Sequence, residues 1–247
     1  MIKHLIQKEW DKSADAWLDF VRTGKDHCRY YMNNPGMFKI LGNIRGKQVL
    51  DLACGEGYNS RIMAKKGAKV TGIDFSKNQI KYAQEEENNN KMGIEYFIQN
   101  ASRLGRFKNN TFDIVVCFMA LQDMNNYKKA VKEVKRVLKT QGRFIFAMPH
   151  PCFERNVGRD GISYTVKDYF TAKAYPLYWK MKRLTKHFKT TSFHRSLSDY
   201  TNALYDADLL ISRIHEPKPT KQGLKVHPNL KENLLIPQSI VIEAIKS

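Results

Sequence analysis

The stretch that decides the fold is "VLDLACGEGYNSRIMAKKGAKVTGIDFS", Val49 to Ser76. A short apolar run ends at Gly55 and Gly57, a helical pattern follows, and a second apolar run ends at Asp74. Strand, glycine turn, helix and strand in that order predict a βαβ unit whose first turn lies against a ligand. Glycine lets the backbone turn sharply with no Cβ in the way. The helix behind it offers unpaired N–H groups and the positive end of its dipole, which suits a carboxylate or a phosphate. Asp74 stands where a carboxylate accepts hydrogen bonds from both ribose hydroxyls. Together these residues specify a nucleoside.

Working outward, the same alternation continues. "SKNQIKYAQEEENNNKMG" reads as a helix capped by Ser76, "IEYFIQNA" as a third strand and "FDIVVCFMAL" as a fourth. "YKKAVKEVKRVLKTQG" reads as a helix stopping at Gly142, and "RFIFAMPHP" as the fifth strand. Regular strand–helix alternation argues for a parallel sheet covered on both faces, with ligands at the carboxyl ends of its strands. Upstream, Trp10, Ala14, Trp17 and Phe20 recur at helical spacing, and a short element covers "HCRYYMNNPGMFKILGNI". Downstream, the alternation breaks for an aromatic and basic segment and resumes with "SLSDYTNALYDAD" as a helix and "LLISRIHEPKP" and "QSIVIEAIK" as strands. One domain is expected: a helical arm over 1–46, a cofactor-binding core over 47–152, a cap insertion over 153–195 and a return to the core sheet over 196–247.

The 247 residues, 42% of them hydrophobic, suffice for a substantial core. No apolar run approaches the roughly 20 residues that span a bilayer, and the start lacks a signal peptide's apolar region; a cytoplasmic protein without membrane partners is expected. The four cysteines are scattered and form no metal or disulfide pattern, so reduced thiols and no metal are expected. The formal charge of +18 is compatible with a nucleic-acid partner or an anionic substrate. The basic residues are nevertheless spread along the chain, and only "KDYFTAKAYPLYWKMKRLTKHFK" concentrates them among aromatics.

Two cofactor classes suit the nucleoside pattern. A dinucleotide would prefer GxGxxG, and Ser60 stands at the third position. Asp51 separates the classes further: an acidic residue at the tip of a buried strand anchors a cation and repels a pyrophosphate. A ligand with an ammonium, a carboxylate and a nucleoside is S-adenosylmethionine.

The motifs "VLDLACGEG", "GIDFS", "FIQNAS", "FDIVVCFMALQDM" and "VKRVLKTQGRFIFAMPHP" resemble the successive signatures of class I S-adenosylmethionine-dependent methyltransferases, in the small-molecule branch called type 11. The resemblance runs from Lys47 to Pro151. It implies a Rossmann-like seven-stranded, mostly parallel sheet in the order 3-2-1-4-5-7-6, last strand antiparallel, with helices on both faces, an N-terminal helical lid and a cap insertion. It also implies S-adenosylmethionine as cofactor and S-adenosylhomocysteine as product. Asp51, Ala53, Gly55 and Gly57 would hold the methionine end, Asp74 the ribose, and Phe75 would lie beside the adenine. Asn100, accepting through its amide oxygen, and Ala101 would sit near the adenine amino group, and Phe118 and Met119 would pack against the cofactor. Arg29, Tyr30 and Tyr31 are lid candidates, with Arg29 able to pair with the methionine carboxylate. For Trp10 and Trp17, helical spacing favours core packing over the lid.

Methyl transfer is an in-line displacement that needs an acceptor held close and water kept out. A base is required only where the acceptor must lose a proton. His150, as the candidate base, and Glu154 bracket the exit of the fifth strand, while His194 and Arg195 end the insertion; these four are the candidates for substrate contact. Each also has a structural reading, in loop shaping, solvation or helix capping. Glu216 and Pro217 either line the pocket or only turn the chain. Tyr164, Tyr169, Phe170, Tyr175, Tyr178 and Trp179 would offer flat apolar surface to an aromatic or acyl acceptor, beside Lys and Arg residues suited to an anion. The expected reaction is transfer to an O or N atom of a small molecule. The alternatives are an RNA methyltransferase, favoured by charge, and a non-catalytic cofactor-binding partner subunit.

Overall fold

The computed structural model describes residues 2–153, 168–180, 184 and 186–247, with side chains from residue 5 onward. Helix α1 (Ile2–Arg22) buries Ile6, Ala14, Phe20 and Val21 along one face. A single π turn, Arg29–Asn33, leads into α2 (Asn34–Leu41), where a proline in the first turn sacrifices an N–H that has no helical partner anyway. The core follows as β1 (Gln48–Leu52), α3 (Tyr58–Lys65), β2 (Lys69–Asp74), α4 (Lys77–Asn89), β3 (Glu95–Ile98), β4 (Phe112–Phe118), α5 (Tyr127–Val137) and β5 (Leu138–Pro149). A hairpin of β6 (Lys173–Trp179) and β7 (Phe188–His194) precedes α6 (Leu197–Tyr205), β8 (Leu209–His215), α7 (Lys221–Val226) and β9 (Ser239–Lys246).

The seven-stranded sheet has the order β3-β2-β1-β4-β5-β9-β8, which is the expected order once the hairpin strands are set aside. The pairs from β3 through β5 are parallel, and β9 runs against both its neighbours. Alternation along each strand divides the core into two layers. Leu50, Val115, Cys117, Phe144 and Phe146 face one layer with α5 and α6, while Val49, Ile114, Val116, Ile145 and Ala147 face the other with α2 and α3. Both faces are dry, which explains why these strands read as unbroken apolar runs.

The fifth helix ends earlier than the sequence suggests. Its last residue is Val137; Leu138 is already extended and pairs with Phe112, and Lys139 reaches Asp113 at 2.8 Å. Strand pairing overrides a helix pattern that Leu138 would have continued.

The hairpin is the described part of the expected insertion. Trp179 stacks on Phe188 at 5.4 Å and meets Trp17 of α1 edge-on at 5.2 Å, so the hairpin is pinned to the N-terminal helix. Glu154 and Tyr164 lie outside the described residues. The connection from β8 to β9, unassigned in the sequence reading, carries α7 and a 3-10 turn, Pro228–Leu234. It takes up Tyr31: the Tyr31 carbonyl accepts from Thr220 N–H at 2.8 Å, and a Cβ on Gly223 would stand 2.9 Å from its ring. Pro217 closes against α2 in the same way, because a Cβ on Gly36 would meet it at 2.6 Å.

Candidate active site

A cavity with about 1170 Å³ of empty space, mouth included, opens at the carboxyl ends of β1, β2 and β4, where the strand order reverses. α1 roofs it with Ile6, Trp10 and Trp17. Two of the strand exits are bent at a residue other than glycine in the left-handed region, Ala53 (φ 60°) after β1 and Met119 (φ 54°) after β4. Such a conformation costs on the order of 1–3 kcal/mol and persists where the surroundings hold it. Both residues line the cavity.

The floor is acidic. Asp51 is 1% exposed and accepts from Ser60 Oγ at 2.6 Å. Burial pushes its carboxyl up to about 7, against the pull of Ser60, with the negative charge of Asp74 adding to the rise and Arg29 opposing it. Asp74 accepts from the backbone N–H groups of Gly55 at 3.0 Å and Ser76 at 2.9 Å. Burial raises it to about 6 despite those bonds. Two buried carboxylates held above their ordinary range are stabilised by a cation or by hydroxyl donors. Arg29 is the counterweight in the wall: its Nε donates to Asp26 at 3.1 Å, and its guanidinium lies 5.3 Å from the Trp17 ring and 5.8 Å from that of Tyr58.

Most of the expected cofactor residues converge here. Arg29, Asp51, Ala53, Gly55, Asp74 and Phe75 line the cavity, as do Asn100, Ala101, Phe118 and Met119. Asn100 is oriented differently from the expectation. Its Oδ1 accepts from Ser102 N–H at 2.9 Å and Oγ at 2.6 Å, leaving the amide NH2 as the end that meets a ligand. Gly57 and Tyr30 stand behind the wall. Gly57 caps α3 at φ +82°, and a Cβ there would overlap the Tyr96 hydroxyl, so its missing side chain makes room for Tyr96. Tyr30 donates to the Val21 carbonyl and meets the Tyr58 ring edge-on, supporting a wall residue.

The candidates for substrate contact gather elsewhere. His150, His194 and Arg195 border a separate small cavity with Gln122, Tyr175 and Tyr200. His150 Nδ1 accepts from Cys152 N–H at 3.2 Å, so Nε2 carries the proton and donates to Glu216 at 3.1 Å. Burial lowers its pKa. With both nitrogens engaged and the ring off the large cavity, the expected base at His150 has no access to an acceptor there. Glu216 therefore ties the end of β8 to His150. His194 Nε2 donates to the Tyr169 carbonyl at 2.9 Å, and Arg195 donates to the Met124 carbonyl at 2.7 Å, so both anchor the hairpin. The cap of α6 is Ser196, through a reciprocal box with Asp199.

Sequence reasoning placed Trp10 and Trp17 in the core, whereas they form the roof. It also passed over Gln79, Tyr58 and Asp123. Gln79 is 2% exposed, and neither atom of its amide has a partner. Asp123, in the 3-10 turn after β4, has a buried Oδ1 with no partner. Unmatched buried polar atoms in a cavity wall are costly unless a polar ligand satisfies them. The nucleoside and amino-acid ends of S-adenosylmethionine fit that wall: donors for Asp51 and Asp74, Gln79 beside the glycine turn, and Arg29 for a carboxylate.

Residues 50–146 match the family model described as methyltransferase domain. The matched segment and the fold around it are those of a class I S-adenosylmethionine-dependent methyltransferase. This methyltransferase is 32% identical over 148 residues to the ubiquinone biosynthesis O-methyltransferase of Coxiella burnetii, a match covering 59% of this chain and 63% of that enzyme. An uncharacterized protein of Haemophilus influenzae is 25% identical over 232 residues, 87% of either chain. A crystal structure from Listeria monocytogenes, described as a candidate S-adenosylmethionine-dependent methyltransferase, superposes with a TM-score of 0.72 at 25% identity, covering 87% of this chain and 96% of that one. The methyltransferase binds S-adenosylmethionine and its product S-adenosylhomocysteine. No helix among the described residues is long and apolar enough to cross a membrane.

Proposed function

We propose that the methyltransferase transfers a methyl group to an O or N atom of a small-molecule acceptor by in-line displacement. The observation that carries this reading is the roof: Ile6, Trp10 and Trp17 of α1 cover the cavity, and the β6–β7 hairpin is pinned onto that helix. A roofed apolar chamber at the β4 exit, with Phe118, Met119 and Met124 in its wall, suits a small acceptor better than a polymer. Bound S-adenosylmethionine supplies a sulfonium-activated methyl group. The chain's own part is to orient and to exclude water. Asp51 and Asp74 fix the floor, Arg29 stands between Trp17 and Tyr58, and the indoles above keep the reacting end dry. The name of the Coxiella relative supports an oxygen acceptor.

RNA as the acceptor is the second reading, favoured by the formal charge of +18. The test is incubation with methyl-labelled S-adenosylmethionine and a cell extract separated into small-molecule, RNA and protein fractions. Label is expected in the small-molecule fraction. Label confined to RNA overturns the first reading and supports the second.

A further inference from the structure

The unpartnered carboxylate oxygen of Asp123 has a chemical consequence. Asp123 lies in the 3-10 turn Leu121–Asp123, immediately beyond the β4 exit, and lines the cofactor cavity beside Met119, Met124 and Asn125. Its Oδ1 is shielded from solvent and has no hydrogen-bond partner, while Oδ2 lies 3.5 Å from the Gln122 amide. On the hairpin side the Ser192 hydroxyl hydrogen-bonds the carboxylate and the Arg195 guanidinium acts on its charge. Arg195 is itself immobilised: it donates to the Met124 carbonyl at 2.7 Å and lies over the rings of Tyr127 (4.2 Å) and Phe193 (4.7 Å). The carboxylate is therefore held from the hairpin side, and one of its oxygens keeps no partner on the protein.

We propose that Asp123 is the base that receives the acceptor's proton, and that the acceptor is accordingly a protic nucleophile, with a hydroxyl or amine hydrogen directed at Oδ1. The proposal rests on the small-molecule reading above. In the step, a lone pair of the acceptor O or N forms the bond to the methyl carbon. The carbon–sulfur bond breaks with its electron pair left on sulfur, and the acceptor's proton passes to Oδ1, leaving neutral Asp123. Water carries that proton away once the products depart. An acceptor carbon with no acidic hydrogen, or a thiolate already without its proton, has no use for such a group. The environment agrees with base duty near neutrality: burial pushes the Asp123 carboxyl up to about 7, with the Ser192 hydrogen bond and then Arg195 pulling it back. The other titratable groups that sense it, Tyr200 of α6 and Cys117 of β4, are neutral at that pH, because burial raises both. A base is most effective when its pKa lies near the working pH.

The experiment uses the full chain, labelled S-adenosylmethionine and the small-molecule fraction of the extract, with wild type, Asp123→Asn and Asp123→Glu. Calorimetry with S-adenosylhomocysteine confirms that each variant is folded. Asp123→Asn should bind within threefold of wild type yet transfer label at least 100-fold more slowly; Asp123→Glu should recover part of the loss. The wild-type rate should rise with pH through about 7, a dependence absent from the residual Asp123→Asn rate. A readout independent of turnover is thermal unfolding. A carboxylate raised in the native state loses stability as pH climbs from the unfolded value near 4 towards 7. The melting temperature of Asp123→Asn should therefore gain on wild type across that range and level off above it. Asp123→Asn transferring label within threefold of wild type, or a labelled methyl found on carbon or sulfur, overturns the role of Asp123 and leaves the small-molecule reading standing. Wild type that binds S-adenosylhomocysteine but labels no small molecule overturns both.

Discussion

Asp51 and Asp74 at the exits of β1 and β2 differ from Asp123 beyond β4 in one respect: the first two are supplied with hydrogen-bond donors by their own βαβ unit, and the third is not. Ser60 serves Asp51, and the N–H groups of Gly55 and Ser76 serve Asp74. Oδ1 of Asp123 has no partner, and the groups behind the carboxylate come from the distant hairpin. The two halves of the cavity thus solve different problems. In the first the protein itself satisfies the carboxylates; in the second it leaves one oxygen unsatisfied.

The largest effect is expected at Asp74. Two charge-assisted hydrogen bonds to ribose are worth about 1.5–3 kcal/mol each, so Asp74→Ala should weaken S-adenosylhomocysteine binding by about 100-fold or more in calorimetry. Unchanged affinity would mean that the carboxylate serves only the glycine turn. Trp17→Ala tests the roof. It removes contacts to Trp10 at 5.5 Å, Trp179 at 5.2 Å and the Arg29 guanidinium. We expect a loss of about 2 kcal/mol in stability and hence a fall of about 4–8 °C in melting temperature. The hairpin should also become more susceptible to proteolysis.

A pH series sharpens the contrast further. The native carboxyls of Asp51 and Asp74 lie at about 7 and about 6, above the unfolded value. Between pH 4 and 7 the native state binds more protons than the unfolded state, so their contribution makes the free protein less stable as pH rises. A ligand with an ammonium and ribose hydroxyls favours the ionised carboxylates, so its affinity should begin to fall below about pH 7, by about tenfold per pH unit for each carboxylate that protonates. The ligand-induced gain in melting temperature should accordingly grow with pH while the free protein's melting temperature declines. Parallel trends would contradict the assignment of these groups. The smallest effect is expected at Tyr30, which stands behind the wall. Tyr30→Phe removes one hydrogen bond to Val21, at a cost of about 1 kcal/mol, and should change S-adenosylhomocysteine affinity less than threefold.

What was legible in advance follows the range of the interactions. The strand–helix alternation, the glycine turn, the Ser76 cap and Asp51 with Asp74 depend on residues close along the chain or on an unbroken apolar pattern, whereas the sheet order followed from the family resemblance. The helix end at Val137 was misread because strand pairing with Phe112 decides it, and that partner lies far back in sequence. Trp10 and Trp17 looked like core because helical spacing reports one buried face without saying what lies opposite. His150 borders the small cavity and Asp123 the large one for the same reason: which titratable group meets which cavity depends on how the hairpin and the β8 end fold back.

The sequence by itself determined that this chain builds a nucleoside-binding βαβ core and that its ligand carries a cation and a ribose, because local geometry and strand burial enforce both. Only the tertiary structure decided which side chains enclose the acceptor space. Glu216 claims His150, Ser102 claims the Asn100 oxygen, α7 claims Tyr31, and Oδ1 of Asp123 is left without a partner. Hydrogen-bond partners drawn from distant segments settle which polar groups stay available for chemistry, and no run of neighbouring residues encodes that choice.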